Sequence, residues 1–198
     1  MKGVLLFTSD AHPGIHPAIK KHFRGSVWQR CQYHFRVNAT DLAPKSRRDD
    51  VNKRLSEAWD CKEYEEAKAV FDRFAEDYQN IYPELADFIS EHAWETLGVY
   101  HVAPPAHHKR IRTTNMVERV NQELLRRSKV IRIFPNPKSC LRLFSALLKE
   151  WHEDWVSRRR YLNMDRLREW KAERAAHPQD RGPGDEQSPK KEKELTVA

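Results

Sequence analysis

No apolar run in this sequence approaches the roughly eighteen residues that a membrane-crossing helix needs, so a membrane partner is not expected. The opening stretch, MKGVLLFTSD, has one Lys and a four-residue apolar run that ends in a charge, too short for a secretory signal. Cysteine is scarce: Cys31, Cys61 and Cys140 are an odd number, widely spaced and without a CxxC pair. That excludes a disulfide framework and points to a reducing, cytoplasmic compartment. No internal repeat is visible, which sets aside solenoids and propellers.

Charge and aromatic residues are plentiful. Of 198 residues, 33% are charged, yet six Trp, eight Phe and six Tyr are enough to build a core. The length suits one well-buried domain with attachments. A formal net charge of +7 and a pI near 9.4 favour a polyanionic partner, nucleic acid being the usual one.

Residues 3–9 (GVLLFTS) read as a buried strand, because a continuous apolar run bounded by turn residues suits a parallel sheet. A loop follows at Asp10–Gly14, then a helix over 15–23 with Ile15, Ile19 and Phe23 on one face. Gly25 breaks it, and 26–31 (SVWQRC) reads as a second strand, completing a βαβ unit with parallel pairing. From about Ser46 the period becomes helical: Val51, Leu55 and Trp59; then Tyr64, Ala67, Phe71, Phe74 and Tyr78; then Leu85, Phe88 and Ile89 after Pro83. This block is acidic, with 13 Asp or Glu against 8 Lys or Arg between Asp41 and Ser90, and reads as a helical insertion. Pro104 and Pro105 make 98–111 read as a loop. A helix is expected from Asn115, taken as N-cap with Glu118 closing a capping box. Another is expected from Pro137 with Asn136 as cap, its stripe of Leu141, Phe144, Leu148, Trp151 and Trp155 lying on the core. Beyond Arg168 apolar residues almost vanish, and disorder is expected.

The expected fold is therefore α/β, with domains at 1–40, 41–97 (the helical insertion), 98–168 and a charged tail at 169–198.

Asp10 follows a buried strand at the end where open α/β sheets present functional groups, a natural place for a divalent-metal ligand. Its alternative is local: a cap for the next helix, or a turn with His12. Glu118 has the capping-box role as its alternative. It stands, however, in a stripe from His107 to Arg132 holding eight cations (Lys109, Arg110, Arg112, Arg119, Arg126, Arg127, Lys129 and Arg132) and only two acids, Glu118 and Glu123. Cations that hold a phosphate backbone beside an acid that holds metal suit phosphodiester chemistry, although such stripes also occur as plain solvated faces. Cys31-Gln-Tyr-His34 has the spacing of half a zinc site, but no second Cys or His pair stands at a suitable distance, so a four-ligand zinc cage is not expected. Cys31 otherwise reads as a small buried hydrophobe.

Four runs occur in order: Ser9-Asp10-Ala11-His12-x-Gly14; Trp28-Gln29-Arg30-Cys31-x-x-His34-Phe35; Arg112-Thr113-Thr114-Asn115-x-x-Glu118-Arg119-x-Asn121; and Ile133-Phe134-Pro135-Asn136. Together they resemble the landmarks of mutator-type bacterial DNA transposases, over about four fifths of the chain. The resemblance implies a ribonuclease H-like nuclease with an Asp-Asp-Glu triad and a helical insertion before the Glu. It assigns Asp10 as the second Asp and Glu118 as the Glu, both ligands of Mg²⁺ or Mn²⁺ in a two-metal site. It makes His12, Cys31, His34 and Asn115 signature positions, and Lys109, Arg110, Arg112, Arg119, Arg126, Arg127 and Lys129 contacts to DNA. It implies transposon ends and target DNA as partners, and a homo-oligomer or a mixed assembly with intact transposase. The family's first Asp lies upstream of the strand that ends at Asp10. The chain is accordingly expected to be the C-terminal part of such an enzyme, with an incomplete metal site and no activity by itself. The alternative is a non-catalytic DNA-binding or dimerisation remnant.

Overall fold

A computed structural model describes residues 3–157 and 161–176. Within them lie two short strands, β1 (Leu6–Ser9) and β2 (Val27–Arg30), and ten helices. The helices are α1 (Ile15–His22), α2 (Gln32–Asp41), α3 (Arg48–Asp60), α4 (Tyr64–Tyr78), α5 (Pro83–His92), α6 (Val99–Val102), α7 (Pro105–Ile111), α8 (Asn115–Ile131), α9 (Pro137–Ser157) and α10 (Met164–Ala176). The architecture is an α/β mix that is mostly helical. It divides into two compact units: residues to Thr113 together with those from Asp165, and Thr114–Met164.

In the first unit β1 and β2 pair in parallel, with Leu6 opposite Val27 and Ser9 opposite Arg30, as expected of a βαβ crossover. The turn between α1 and β2 uses Gly25 at φ +84°, a left-handed conformation that glycine adopts without steric cost. The core lies in the helical block. Phe35 and Ala39 of α2 meet Val51, Leu55 and Trp59 of α3, Phe71 and Phe74 of α4, and Leu85 and Ile89 of α5, all essentially buried. The helical stripes read from the sequence are thus the ones that pack, with α4 lying against both α3 and α5.

The chain returns from this block to the sheet through a single 3₁₀ turn at Ala93–Thr96, and β2 holds the return at several points. The buried Gln29 side-chain oxygen accepts the Val99 N–H at 2.7 Å. Gln32 donates to the Thr96 carbonyl at 3.0 Å, and Arg30 pairs with Glu95 at 3.0 Å while stacking over Phe35 and Phe88. Gly98 permits the close approach, since a Cβ there would lie 2.9 Å from the Trp28 carbonyl oxygen. Much of the Trp28–Gln32 run therefore fastens the helical block to the sheet.

Several expectations need correction. Residues 98–111 are not a loop: they form α6 and α7. Pro104 is the N-cap of α7 and Pro105 its first residue, where proline's fixed φ and missing N–H start a helix instead of breaking one. Thr114, not Asn115, is the N-cap of α8, so Asn115 is the first helical residue and Glu118 stands four residues past the cap instead of three. The helix α9 does start at Pro137 with Asn136 as cap, its Oδ1 accepting the Ser139 N–H at 2.9 Å. The stripe expected on the core is not buried, however: Leu141, Leu148 and Trp155 are exposed, and α9 buries no residue. Apolar residues occupy more than one face of α9, so the stripe alone does not specify what packs. Past Arg168, α10 continues to Ala176, and Arg174 reaches the Tyr100 carbonyl at 3.5 Å. The alanines and long polar side chains there are good helix formers even without a core to cover. The expected disorder of 177–198 falls outside the described residues.

Candidate functional site

The parallel register decides what meets at the end of the sheet. With Ser9 opposite Arg30, the next residues, Asp10 and Cys31, come side by side, and the Cys31 N–H donates to the Ser9 carbonyl at 2.7 Å. Cys31 is the N-cap of α2, and its carbonyl accepts the first helical bond, from Phe35. His34 therefore sits within the first turn of α2. Its Nδ1 lies 2.5 Å from Oδ1 of Asp10. The candidate ligand atoms of Asp10, Cys31 and His34 all fall within 4.8 Å of one another. Cys31 is fully buried, whereas the Asp10 side chain is 58% exposed and that of His34 is 32% exposed. The cluster thus has a closed floor and an open mouth.

Neighbouring residues brace it. The Asp10 carbonyl accepts the His12 N–H at 2.9 Å, and His12 Nδ1 accepts the Gly14 N–H at 3.1 Å. The role of His12 is thereby in the turn that leads into α1. Trp28 donates from Nε1 to Ser9 Oγ at 2.9 Å and stacks on His16. At the end of α7 the Ile111 carbonyl accepts the Thr8 hydroxyl at 2.9 Å, and the Arg112 carbonyl accepts the Gln32 N–H at 3.0 Å. The backbone of the Ile111-Arg112 run is therefore tied to the strand and helix that carry Asp10 and Cys31.

Arg112 and Lys109 both pair with Asp60, at 3.2 and 3.4 Å, and Arg110 is exposed on α7. The Arg112 guanidinium also reaches the Trp59 carbonyl at 3.4 Å. Asp60 offsets part of the charge that this end of the stripe carries.

In the second unit Glu118 lies on the first turn of α8, its Oε1 accepting the Thr114 hydroxyl at 2.5 Å. Further along α8, Glu123 receives a two-bond grip from Arg126, at 2.8 and 2.7 Å, and a third bond from Arg127 at 2.9 Å. These hydrogen bonds, Arg126 first, hold the Glu123 carboxyl down at about 2. Arg119 lies four residues before Glu123, so these side chains share one face. Among the described residues Arg119 and Lys129 make no ion pair, and their charge is uncompensated.

Asp10 and Glu118 thus belong to different compact units, each with a defined local setting. His34 stands near Asp10, as the family order of these landmarks leads one to expect, but the Cys-x-x-His spacing does not show that Cys31, His34 and Asp10 bring three potential ligand atoms together. The signal was present in the parallel pairing of two strands that end at Ser9 and Arg30, since their next residues must be neighbours.

With an acidic strand end, a Cys-x-x-His helix start and a cationic helix in this order, the chain belongs to the Mutator family of transposases, whose model matches residues 1–158. It is 43% identical over 171 residues to the transposase for insertion sequence element ISRM5 of Rhizobium meliloti, a match covering 86% of this chain and 43% of that protein. It is 37% identical over 166 residues to the transposase for IS406 of Burkholderia multivorans, covering 83% and 42%. Against the transposase for IS256 in transposon Tn4001 of Staphylococcus aureus the identity is 36% over 169 residues, covering 84% and 43%. The chain thus spans less than half the length of these curated relatives.

Proposed function

We propose that this chain contributes Asp10 and Glu118 to the DNA-cleaving and DNA-joining site of a transposase, within a ribonuclease H-like core. The observation that carries this reading is the position of Asp10, at the exit of β1 with His34 against its carboxylate, in a chain of this family. A carboxylate with half its surface exposed fits Mg²⁺ or Mn²⁺, which take one or two protein carboxylates and keep water or phosphate oxygens as the remaining ligands. A divalent ion bound there would supply Lewis-acid polarisation of a phosphodiester and a more acidic attacking water. His34 orients the Asp10 carboxylate, and the turn at His12 holds the backbone behind it. Thr114 positions the Glu118 carboxylate in the same way. Arg119 and Lys129 hold DNA phosphates, joined by Lys109, Arg110, Arg112, Arg126 and Arg127.

The family's site takes three carboxylates, of which Asp10 and Glu118 are two. The 198-residue chain with Mg²⁺ or Mn²⁺ is therefore expected to bind DNA without nicking or joining it. In a chimera where residues 1–158 replace the matching stretch of the Rhizobium meliloti relative, cleavage at the element's ends should appear, and Asp10→Asn or Glu118→Gln should each abolish it. A chimera that cleaves equally well with Asp10→Asn overturns the assignment.

The uncompensated Arg119 and Lys129 on α8 favour a second reading, a non-catalytic DNA-binding or dimerising role in mixed assemblies with intact transposase. On that reading the chain added to the intact relative lowers its activity in proportion to the amount added, and the chimera stays inactive.

A further inference from the structure

We propose that Asp10, Cys31 and His34 form a binding site for one thiophilic divalent cation of the Zn²⁺ class. Among the described residues they are the one group of three such side chains whose ligand atoms converge. The Cys-x-x-His spacing alone supplies two donors. The third comes from the parallel register, which sets Asp10 beside Cys31. The donors are one sulfur, one imidazole nitrogen and one carboxylate oxygen. That set matches a borderline-soft ion better than Mg²⁺, which seeks oxygen alone.

Geometry supports the same ion. Around a tetrahedral Zn²⁺ with bonds of roughly 2.0–2.3 Å, ligand atoms stand about 3.3–3.7 Å apart. The three atoms lie within 4.8 Å of one another, so occupancy asks that His34 withdraw from Asp10 by about an ångström and that the wider pairs close by a comparable amount. Both side chains are partly exposed, which leaves room at the mouth for that adjustment, while the sulfur comes from the fully buried end of the sheet. Three protein ligands and an open mouth leave a fourth position for water or a phosphate oxygen, the arrangement of an open site and not of a closed structural cage. Cys31 binds as thiolate, its proton passing to solvent.

The inference rests on the reading above only in sharing Asp10 as a metal-binding carboxylate. Occupancy by such an ion engages that carboxylate, so it competes with the Mg²⁺ chemistry proposed there.

Co²⁺ is the probe, added to the full chain purified free of metal. One equivalent should produce the near-ultraviolet sulfur-to-cobalt charge-transfer band, and Zn²⁺ should erase it. Cys31→Ser should remove the band, and the double variant Cys61→Ser/Cys140→Ser should keep it. Because Cys31 is fully buried, His34→Gln serves as a second variant at a partly exposed position and should weaken Co²⁺ binding more than tenfold. No saturable band in the wild-type chain overturns the proposal. So does a band that survives in folded Cys31→Ser, or unchanged affinity in His34→Gln. Glu118→Gln should leave the band intact. Loss of the band with metal-dependent cleavage retained by the chimera sinks this inference alone, and the reverse result sinks only the reading above.

Discussion

The side-chain oxygen of Gln29, on β2, accepts the backbone N–H of Val99, at the start of α6, at 2.7 Å in a fully buried setting. One side chain thereby caps a helix seventy positions away and fastens the helical block to the sheet. Replacing it with Leu keeps similar bulk and leaves the Val99 N–H buried without its acceptor. Gln29→Leu should cost about 1–3 kcal/mol, read as a lowered urea midpoint with unchanged slope. A midpoint equal to wild type would show that this bond is not what holds the return.

Arg30 and Glu95 form a second fastening, nearly enclosed, with side-chain exposures of 7% and 16%. Removing one partner strands the other charge. Glu95→Ala should therefore destabilise by about 3–5 kcal/mol, whereas replacing both residues with apolar ones of similar volume should cost much less. Chemical denaturation of the single and double variants checks this, and equal losses in the two would refute it.

Burial holds the His108 pKa below its usual value, with Arg112 and His107 acting in the same direction against a hydrogen bond to the Ala103 carbonyl. Below the unfolded value near 6.5 the unfolded chain binds the proton more readily than the folded one. The stabilising contribution is thus complete above about pH 6.5 and is lost as pH falls through that value toward the lower folded pKa. Melting temperature should fall on the acid side of about 6.5, and His108→Gln should flatten that part of the profile. An identical profile in the variant would place the acid sensitivity elsewhere.

On the proposed reading, the salt dependence of DNA binding should separate the cations of α8 that are engaged from those that are not. Arg119→Ala should weaken binding to every sequence and flatten the slope of log affinity against log salt by about 0.9. Glu123→Gln removes the carboxylate that three hydrogen bonds from Arg126 and Arg127 now share, so it should tighten binding and steepen the slope. Weaker binding by Glu123→Gln would mean that the carboxylate orders the two arginines for DNA instead of diverting them.

Local physics was legible in the residues themselves. The βαβ start, the stripes at Val51, Leu55 and Trp59 and at Phe71 and Phe74, the cationic run and the four family motifs all depend on near neighbours, and a period of two or of 3.6 shows directly which residues share a face. Tertiary structure decided what depends on distant partners. Pro104 and Pro105 read as a break until α7 formed behind them, because the same fixed φ ends one element and begins the next. The Leu141–Trp155 stripe is apolar enough for a core, yet nothing local says whether another element will cover it. Asp60 and Glu123 partner the arginines through geometry that charge counting does not contain. Above all, the meeting of Asp10 with Cys31 and His34 follows from the register of two strands, and register is a long-range choice made by packing and backbone pairing together.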